Sequence, residues 1–425
     1  MVYQRPKGTN DILPQDAPMW EYLEEKAKKV VAKFGYLEMR SPIFESLELF
    51  QRSAGETSDV VSKEMYEFTD KGNRKMALRP EGTAGIVRSY IENKLFGPEF
   101  LNPMKVYYFG PMFRYERPQS GRSREFNQFG VEAFGIEDPR LDAETIAMGQ
   151  EILSSLGIKE IKVTLNTLGD KVSRKNYVNA LVDYLTPFKA ELSKDSKVRL
   201  EKNPLRILDS KDPHDQDIVQ EAPKIGDYLT EEANRYFSQV KDYLSLQNVN
   251  FEINEDLVRG LDYYNHTIFE LIYTGNAFNG SNLTVLAGGR YNSLVEELGG
   301  PKTPGVGFGL GEERIIEILK QNQSLQEQLH PQLDVFIVGV GEQTVKTIFM
   351  LANQLRNQGL SVAYDYIGRS VKSQFKLANR QQAQFTMVIG EEEILSGDYT
   401  IKKMSDGTQT KMRAEEITKN RLGEI

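Results

Sequence analysis

Apolar residues recur every three or four positions near the start of the chain, at Trp20, Leu23, Ala27, Val30, Val31 and Phe34. This spacing predicts an amphipathic helix over about 18–34, and Gly35 is a residue type that commonly ends a helix. Farther along, short runs of alternating apolar and polar residues occur at 66–69, 106–109 and 126–134. Broken by Gly and Pro, these runs predict antiparallel strands with intervening helices rather than a regular βαβ rhythm.

The middle of the chain has a different pattern. Residues of about 170–250 are rich in charge and helical in spacing, with Pro204 and Pro213 as breaks. Short strand-like runs then return over 251–273. This order predicts a helical insertion inside a β-rich domain.

The C-terminal part follows a polar, Pro-containing stretch at 321–332, which is typical of a linker. Strand, helix, strand, helix and strand are expected in turn over 334–340, 344–358, 361–366, 370–380 and 385–389. The whole pattern predicts an α+β domain over 1–325, built on an antiparallel sheet flanked by helices and interrupted by the insertion. A compact α/β domain is expected to follow over 333–425.

Composition narrows the class of protein. The chain has 425 residues, 39% of them hydrophobic and 27% charged, which suits two or three soluble domains. No apolar run approaches the length of a membrane span, and the first thirty residues are charged, so we expect a cytoplasmic protein with no membrane partner. Cysteine is absent and only three histidines occur, which excludes disulfides, a cysteine nucleophile and Cys-ligated zinc.

Net charge leaves the question of nucleic-acid binding open. The chain carries a formal charge of -8, with a pI near 5.3. A phosphate-binding surface needs only a local cluster of Arg and Lys, because salt screens distant acidic groups over about 10 Å. Whether the chain binds nucleic acid therefore depends on local clusters of Arg and Lys, and the net charge does not answer the question.

One predicted hairpin has an unusually polar face. Arg114 and Glu116 are two positions apart, so both are expected on the same face of a strand. Phe126, Gln128 and Glu132 alternate along the returning strand. Since a buried unpaired charge is costly, this face should line a pocket rather than a core. The connecting loop is basic, with Arg117, Arg122 and Arg124.

Two further segments carry candidate polar groups. LRPEGTAG places Arg79, Glu81 and Thr83 before a predicted helix, where an ordinary exposed turn is the alternative interpretation. RGLDYYNHTIFE begins with Arg259, which is the favoured functional residue of this segment. His266, within it, is interpreted as a satisfied surface histidine on an amphipathic strand.

A fourth segment, GVGFGLGEER, is rich in glycine. Glycines 305, 307, 309 and 311 alternate with apolar residues before Arg314 opens a helix. Glycine at alternate strand positions removes side chains from one face, so a flat ligand or another backbone can approach closely. A phosphate could then meet the guanidinium of Arg314.

The C-terminal domain offers two interpretations. FIVGVGEQT at 336–344, followed by Asp365, has the outline of a dinucleotide-binding turn, but Thr344 occupies the place of the third glycine. Along the helix predicted at 370–380, a basic stripe lies on one face and consists of Arg369, Lys372, Lys376 and Arg380. A solvated charged face is the common explanation of such a stripe.

These segments, in this order, resemble class II aminoacyl-tRNA synthetases and, among them, the histidyl-tRNA synthetase family. FGYLEMRSPIFE with Pro42 is similar to the dimer-forming first class motif, FRYE with REF to the second, and GVGFGLGEER to the third. RPKGTNDILP, LRPEGTAG and RGLDYYNHTIFE are more specific. The resemblance covers essentially the whole chain. Its departures are AGGRYNSL, where the family usually has GGGRYDGL, and GEER in place of GLER.

The resemblance implies a reaction. L-histidine is activated by ATP, with Mg²⁺ on its phosphates, to histidyl-adenylate and pyrophosphate, and is then transferred to tRNA-His. It implies that Arg114 and Arg259 hold the α-phosphate and carboxylate and that Arg314 holds the γ-phosphate. The resemblance also implies that Phe126 stacks on the adenine ring of ATP and that Glu116 lies near the amino group of that adenine. Histidine binding is implied for Glu81, Thr83, Gln128, Glu132, Arg259, Tyr263 and Tyr264.

The resemblance also implies partners and leaves rivals. A homodimer is expected from the Pro42 segment. The C-terminal domain resembles the anticodon-binding domain of these synthetases, and that resemblance favours an RNA-binding role for the basic stripe over a solvated charged face. Contacts with tRNA are also expected from Arg117, Gln119 and Arg122. One rival is the synthetase-like regulatory subunit of ATP phosphoribosyltransferase, which lacks the C-terminal domain and usually the arginine of RGLDYY. Another is a synthetase-like domain that senses uncharged tRNA as part of a kinase, although no kinase signature occurs here.

Overall fold

The structure is a computed structural model that describes residues 3–55, 58, 60–118, 121–278, 280–329 and 332–424. The chain divides into two compact units, Met1–Gln326 and Glu327–Ile425. The division lies inside the polar stretch at 321–332. That stretch is not an irregular linker throughout, because Gln323–Leu329 form a helix whose Leu325 is buried.

Most of the regular structure lies before residue 330. The helices are α1 (Ala17–Lys33), α2 (Leu47–Ala54), α3 (Thr83–Glu92), α4 (Pro139–Ser155), α5 (Lys171–Leu185), α6 (Lys194–Lys202), α7 (Pro213–Val219), α8 (Glu231–Leu246), α9 (Leu294–Glu297), α10 (Glu312–Leu319) and α11 (Gln323–Leu329). The strands are β1 (Leu37–Glu38), β2 (Phe44–Ser46), β3 (Glu67–Thr69), β4 (Lys75–Leu78), β5 (Met104–Phe113), β6 (Glu125–Phe134), β7 (Ile161–Thr167), β8 (Phe251–Ile253), β9 (Asn265–Tyr273), β10 (Leu283–Tyr291) and β11 (Gly305–Gly311).

The first predicted helix is confirmed as α1. Its buried face consists of Met19, Leu23, Ala27, Val30 and Val31. Trp20 is only half-buried, so Met19 takes the core position that the periodicity gave to the tryptophan. The helix ends before Gly35, whose φ of 78° is the left-handed conformation that glycine adopts without strain.

The predicted antiparallel sheet is also confirmed. Over the described residues the first unit contains an eight-stranded sheet in the order β1-β5-β6-β11-β10-β9-β7-β8, and a smaller one in the order β2-β4-β3. The strands from β5 to β7 in that order pair antiparallel, whereas β1 and β8 join its two ends in parallel. Helix α4 packs on β9, β10 and β11.

A buried ion pair joins the large sheet to α4. Arg290 of β10 and Asp142 of α4 are both 0% exposed. The Nε of Arg290 donates to Asp142 at 2.9 and 3.2 Å, and its Nη1 donates to the carbonyl of Ile136 at 3.2 Å. The hydroxyl of Tyr236, in α8, also donates to Asp142, at 3.3 Å. Three elements far apart in sequence therefore meet at one pair of charges.

The helical segment lies between two neighbouring strands. Strands β7 and β8 pair in parallel, with Val163 opposite Phe251, and α5 to α8 connect them. Tyr177, Leu181, Leu205 and other apolar side chains give this segment a core of its own. Helix α8 packs on α4 and so covers the main sheet as well.

The second unit is an α/β fold. Its helices are α12 (Val345–Asn357), α13 (Val371–Arg380), α14 (Glu391–Ser396) and α15 (Lys419–Gly423), and its strands are β12 (Leu333–Gly339), β13 (Val362–Tyr364), β14 (Ala383–Ile389), β15 (Asp398–Lys403) and β16 (Gln409–Arg413). The sheet order is β13-β12-β14-β15-β16, with β12 parallel to β13 and β14. The predicted strand and helix alternation is confirmed, and the hairpin of β15 and β16 extends it. In the described part of the chain, no helix has both the length and the apolar character that a bilayer crossing needs.

Candidate active site

One cavity of about 780 Å³ in the first unit brings together side chains from all four polar segments. Strands β6, β10 and β11 and the loops beside them form its walls. The predicted residues that line it are Glu81, Thr83, Arg114, Glu116, Arg122, Phe126, Gln128, Glu132, Arg259, Tyr263, Tyr264 and Arg314. Segments that are separated by more than two hundred residues therefore form a single site.

Glu132 is the most deeply buried carboxyl group of the cavity, at 1% exposure. Thr83 Oγ1 donates to its Oε1 at 2.7 Å, Tyr108 Oη donates to the same oxygen at 3.3 Å, and Tyr291 Oη donates to Oε2. Burial nevertheless raises the pKa of Glu132 to about 8, because these donors only partly replace water. The site can therefore hold a proton at Glu132 at neutral pH.

Gly307 makes room for that carboxyl group. It is paired with Glu132 across β11 and β6. A Cβ at position 307 would overlap both Glu132 Oε2 and the carbonyl of Val131. At Gly307, the absence of a side chain thus allows the Glu132 carboxyl group of the neighbouring strand to approach closely, in addition to any ligand.

Glu81 lies at the N-terminus of α3, and the segment around it is not an exposed turn. Arg79, Glu81 and Thr83 are 6%, 4% and 7% exposed. The Glu81 carboxylate accepts from the backbone N–H groups of Thr83 at 2.7 Å and Ala84 at 2.9 Å. Burial raises the pKa of Glu81, and these donors partly oppose the rise. The first turn of α3 therefore holds a carboxylate at the cavity wall.

Arg259 belongs to an irregular loop between β8 and β9. Its Nη1 forms an ion pair with Glu270 of β9, and Thr284 Oγ1 donates to the other oxygen of Glu270 at 2.9 Å. Its Nε is buried and has no hydrogen-bond partner among the described residues. Tyr263 and Tyr264 lie in the same loop, with ring centroids 4.6 Å apart. Arg259 is therefore fixed at one nitrogen, and its guanidinium still carries an unpaired N–H at the cavity.

The predicted strand ends before Arg114, so the expectation that Arg114 and Glu116 share a strand face is wrong. Strand β5 stops at Phe113, and the chain turns because the Glu116 N–H donates to the carbonyl of Arg114 at 2.7 Å. Both side chains still face the cavity. Arg114 Nε donates to the carbonyl of Pro80 at 2.9 Å, and its guanidinium lies 5.2 Å from the Phe126 ring centre.

Arg314 is held by two backbone carbonyls. Its Nε donates to Gly121 at 3.1 Å, and its Nη1 donates to Thr284. Burial lowers the pKa of Arg314, and the like charges of Arg122 and Arg114 add to that effect. Three guanidinium groups therefore gather near one another, which is the arrangement that a polyphosphate would satisfy.

His266 is not a surface histidine as interpreted from the sequence. It is 8% exposed and has a φ of 45°. Its Nε2 lies 3.6 Å from Glu137, and its Nδ1 has no partner among the described residues. Burial lowers the pKa of His266. The ring of Tyr236, in α8, lies 5.1 Å from the imidazole, centre to centre. His266 is absent from the cavity wall described above.

The residues expected to contact tRNA are spread over both units. In the first unit Arg117 is exposed, Arg122 pairs with Glu116 at 3.0 Å, and Gln119 lies outside the described residues. In the second unit all four members of the basic stripe are exposed. Arg369 is paired with Asp365, so its charge is partly offset. Lys372, Lys376 and Arg380 follow one face of α13.

Sequence reasoning missed several cavity residues. Tyr108 and Tyr291 donate to Glu132, Glu270 pairs with Arg259, and Asp209 and Lys211 reach the wall from the helical insertion. The tyrosines lie at core-like strand positions, so pattern alone does not separate them from packing residues. Glu270 had a usable signal, since it is a charge between the apolar residues Phe269 and Leu271 of strand β9.

Together the sheet and the cavity define a class of enzyme. An antiparallel sheet whose loops and strands gather arginines and buried carboxyl groups around one pocket is the arrangement of class II aminoacyl-tRNA synthetases, to which the sequence motifs also point. The profile of the family described as histidyl-tRNA synthetase matches residues 8–177, and that of the anticodon binding domain matches residues 334–420.

Individual relatives agree with those profiles. The chain is 55% identical over 417 residues to the histidine–tRNA ligase of Ligilactobacillus salivarius, covering 98% of this chain and 96% of the relative. The crystal structure of apo histidyl-tRNA synthetase from S. aureus matches with a TM-score of 0.85 and 40% identity, over 99% of this chain and 100% of that one. The chain belongs to the histidyl-tRNA synthetase family, as its motifs predicted.

A more distant structure bears on the fold alone. The protein from Bacillus halodurans described as an ATP phosphoribosyltransferase regulatory subunit/histidyl-tRNA synthetase matches with a TM-score of 0.64 and 20% identity, over 92% of this chain and 99% of that one. The much higher identity to ligases, together with the anticodon-binding domain, does not favour the regulatory-subunit alternative.

Proposed function

We propose that this chain is a histidine–tRNA ligase that makes histidyl-adenylate and pyrophosphate from L-histidine and ATP, and then transfers histidine to the 3′ end of tRNA-His. The observation that carries the proposal is the meeting of Arg114, Arg259 and Arg314 with the carboxyl groups of Glu81 and Glu132 at one cavity. Guanidinium groups suit phosphates and a carboxylate, and the carboxyl groups suit an amine and an imidazole. Family membership supports the same reaction.

Adenylate formation needs no protein nucleophile. The carboxylate of histidine attacks the α-phosphorus of ATP, and the bond from that phosphorus to the bridging oxygen of pyrophosphate breaks. Charge shifts among phosphate oxygens during this step, so fixed cations are the main means of acceleration. Arg114 and Arg259 are assigned to the α-phosphate and the attacking carboxylate, and Arg314 to the γ-phosphate. Their existing hydrogen bonds to carbonyls and to Glu270 support this, because they limit reorganisation.

Adenine is assigned to the ring of Phe126, with Glu116 near its amino group. The α-amino group of histidine is assigned to Glu81, Thr83 and Gln128. Glu132 and Tyr264 are assigned to the imidazole, with Tyr263 beside them. A protonated Glu132 can donate to one imidazole nitrogen, and a ligand lacking that nitrogen would leave a buried polar group unpaired. This is a physical basis for selecting histidine.

Mg²⁺ is assigned to the ATP phosphates. No group of three or more acidic or histidine side chains among the described residues could hold a metal ion by itself. Glu116, Glu270 and Glu313 line the cavity with the arginines. One or two carboxylates plus phosphate oxygens and water are the ligand set that Mg²⁺ commonly takes. The ion would supply charge neutralisation at the phosphates, and these glutamates are the residues that could complete its shell.

We assign the second unit, the basic loop and the exposed stripe of α13 to tRNA binding. For the first unit we propose a homodimer through the region around Pro42. Apolar side chains there are unusually exposed, with Leu37 at 61%, Phe44 at 49% and Phe68 at 40%. An exposed apolar patch of this kind commonly marks a contact surface. A cytoplasmic location remains a prediction of the sequence.

Replacement of Arg259 tests the proposed reaction. Arg259→Ala should lower histidine-dependent exchange of pyrophosphate into ATP by about 10²- to 10³-fold, because the lost guanidinium stabilises charge that develops in the transition state. The matched control is Arg235→Ala, which removes an exposed arginine of α8. Thermal melts should show both variants folded. Near-normal exchange in a folded Arg259→Ala variant would remove Arg259 from the reaction.

A further inference from the structure

The loop that carries Arg259 is irregular. Residues 254–264 connect β8 to β9 without regular secondary structure, yet Arg259, Tyr263 and Tyr264 from this loop all line the cavity. A loop outside a strand ladder takes its position from side-chain hydrogen bonds and packing. The groups that hold this loop therefore decide where the Arg259 guanidinium lies.

One anchor comes from the main sheet. Asn166 of β7 donates from Nδ2 to the carbonyls of Glu255 at 3.1 Å and Leu257 at 3.0 Å. These contacts fix the start of the loop, before Arg259. They leave the stretch from Arg259 to Tyr264 to be held by other groups.

The helical insertion supplies anchors for that second stretch. Arg174, in the first turn of α5, donates from Nη1 to the carbonyls of Asp262 at 3.2 Å and Tyr264 at 3.0 Å. Asn203, which follows α6, donates from Nδ2 to Asp262 Oδ1 at 2.7 Å. Arg206 is 8% exposed and donates from Nη1 to the carbonyl of Arg259 itself, at 3.4 Å. The insertion thus contacts the loop at Arg259 and again at Asp262 and Tyr264.

The anchors are themselves carried by packed structure. Asn203 immediately precedes a short helical turn, Pro204–Ile207, which contains Arg206. Leu205 and Ile207 of this turn are buried in the apolar core of the insertion. The next turn is tied down because Ser210 Oγ donates to the buried carboxylate of Asp215 at 2.6 Å. The neighbours of Ser210, at positions 209 and 211, line the same cavity as Arg259. The insertion is therefore part of the wall of the site as well as a neighbour of the loop.

We infer that Asn203 and Arg206, assisted by Arg174, are positioning residues for Arg259, so that the helical insertion sets the geometry of adenylate formation. The inference rests on the proposed function and deepens it, because it assigns the insertion a task in the first reaction step. A misplacement of about 1 Å in a reacting group can cost about 10²-fold in rate. Loss of an anchor should accordingly slow chemistry while leaving the fold in place.

A double-mutant cycle on the full-length chain tests the inference. Asn203→Ala removes the 2.7 Å hydrogen bond to Asp262 at a partly exposed site. It should lower kcat for histidine-dependent pyrophosphate exchange by about 10- to 100-fold at saturating ATP and histidine. Arg206→Lys, which keeps the charge but loses the guanidinium fork, should act in the same direction. Arg235→Ala is again the control, because it removes an exposed arginine of α8, on another helix of the insertion, and should leave kcat unchanged.

The cycle is completed by Arg259→Ala and by Asn203→Ala combined with Arg259→Ala. If Asn203 acts through Arg259, its replacement should cost almost nothing once Arg259 is gone, so the double variant should match Arg259→Ala. Multiplying losses, or an unchanged kcat in Asn203→Ala, would overturn the positioning role while leaving the proposed function intact. Near-normal exchange in Arg259→Ala would instead overturn the role of Arg259 itself, and the inference with it.

Discussion

Glu132→Gln should make the first unit more resistant to urea, increasingly so as pH rises. Burial raises the pKa of Glu132 from 4.5 to about 8, so the folded chain keeps a proton there at pH 7 that the unfolded chain releases. Since the unfolded state binds fewer protons, the contribution of Glu132 to stability falls between about pH 4.5 and pH 8 and then levels off. Glutamine does not titrate, so the variant should not show this loss of stability with rising pH.

The size of the effect follows from the same pKa difference. One pKa unit corresponds to about 1.4 kcal/mol. Neutral pH lies about 2.5 units above the ordinary pKa of 4.5. The free energy of unfolding of the wild type should therefore be about 3 kcal/mol lower at pH 7 than at pH 4, and about 5 kcal/mol lower above pH 8. The three hydroxyl groups around Glu132 can rotate to accept from a glutamine amide, so a new unpaired group is avoided.

Tryptophan fluorescence gives a local readout. Trp20 is the one tryptophan of the chain and lies in α1, within the first unit. Urea unfolding of wild type and Glu132→Gln would be compared at pH 5, 7 and 9, with the exposed Glu99→Gln as control. The difference in unfolding free energy should grow with pH. A difference that stays constant, or a variant that weakens as pH rises, would refute the reasoning that Glu132 is uncharged at neutral pH.

Two more predictions concern assembly and tRNA. Deleting the residues after Gln326 removes the second unit but none of the cavity side chains, so pyrophosphate exchange should persist while tRNA charging falls much more steeply. The salt dependence of tRNA binding should flatten, since phosphate contacts are lost; equal loss of both activities across a salt series would contradict this. Analytical ultracentrifugation at micromolar concentration should detect a dimer, and a fully active 48.4 kDa species would argue against it.

Much of the site could be read from strand alternation. Phe126, Gln128 and Glu132 occupy every second position of β6, except for Gly130, and the structure brings all three to the cavity. The period of two is a local property, so it survives whatever the rest of the chain does. The end of β5 was harder to predict, because Arg114 and Glu116 continue the alternation while a backbone hydrogen bond turns the chain.

What the sequence could not supply was partners from distant segments. Tyr291 donates to a carboxyl group 159 positions earlier, and nothing in its own neighbourhood marks it out from a packed aromatic residue. His266 was misinterpreted for the same reason. Its ring contacts Tyr236 of α8, a helix from the insertion that packs on α4 and on β9. The local periodicity of a sequence shows which residues share one face of a strand or helix. It does not show which distant segment packs on that face.

The pairing of β6 with β11 has a consequence for synthesis of the chain. Glu132 lies opposite Gly307 in that pair, so the strand that completes the floor of the pocket leaves the ribosome roughly 175 residues after its partner. At about 5–20 residues per second, the β5–β6 hairpin waits on the order of 10–35 s before its second neighbour exists. During that time one edge of β6 is an unpaired row of backbone groups. The strand that carries the buried carboxyl group of the cavity is thus also a nascent edge that needs protection from other chains.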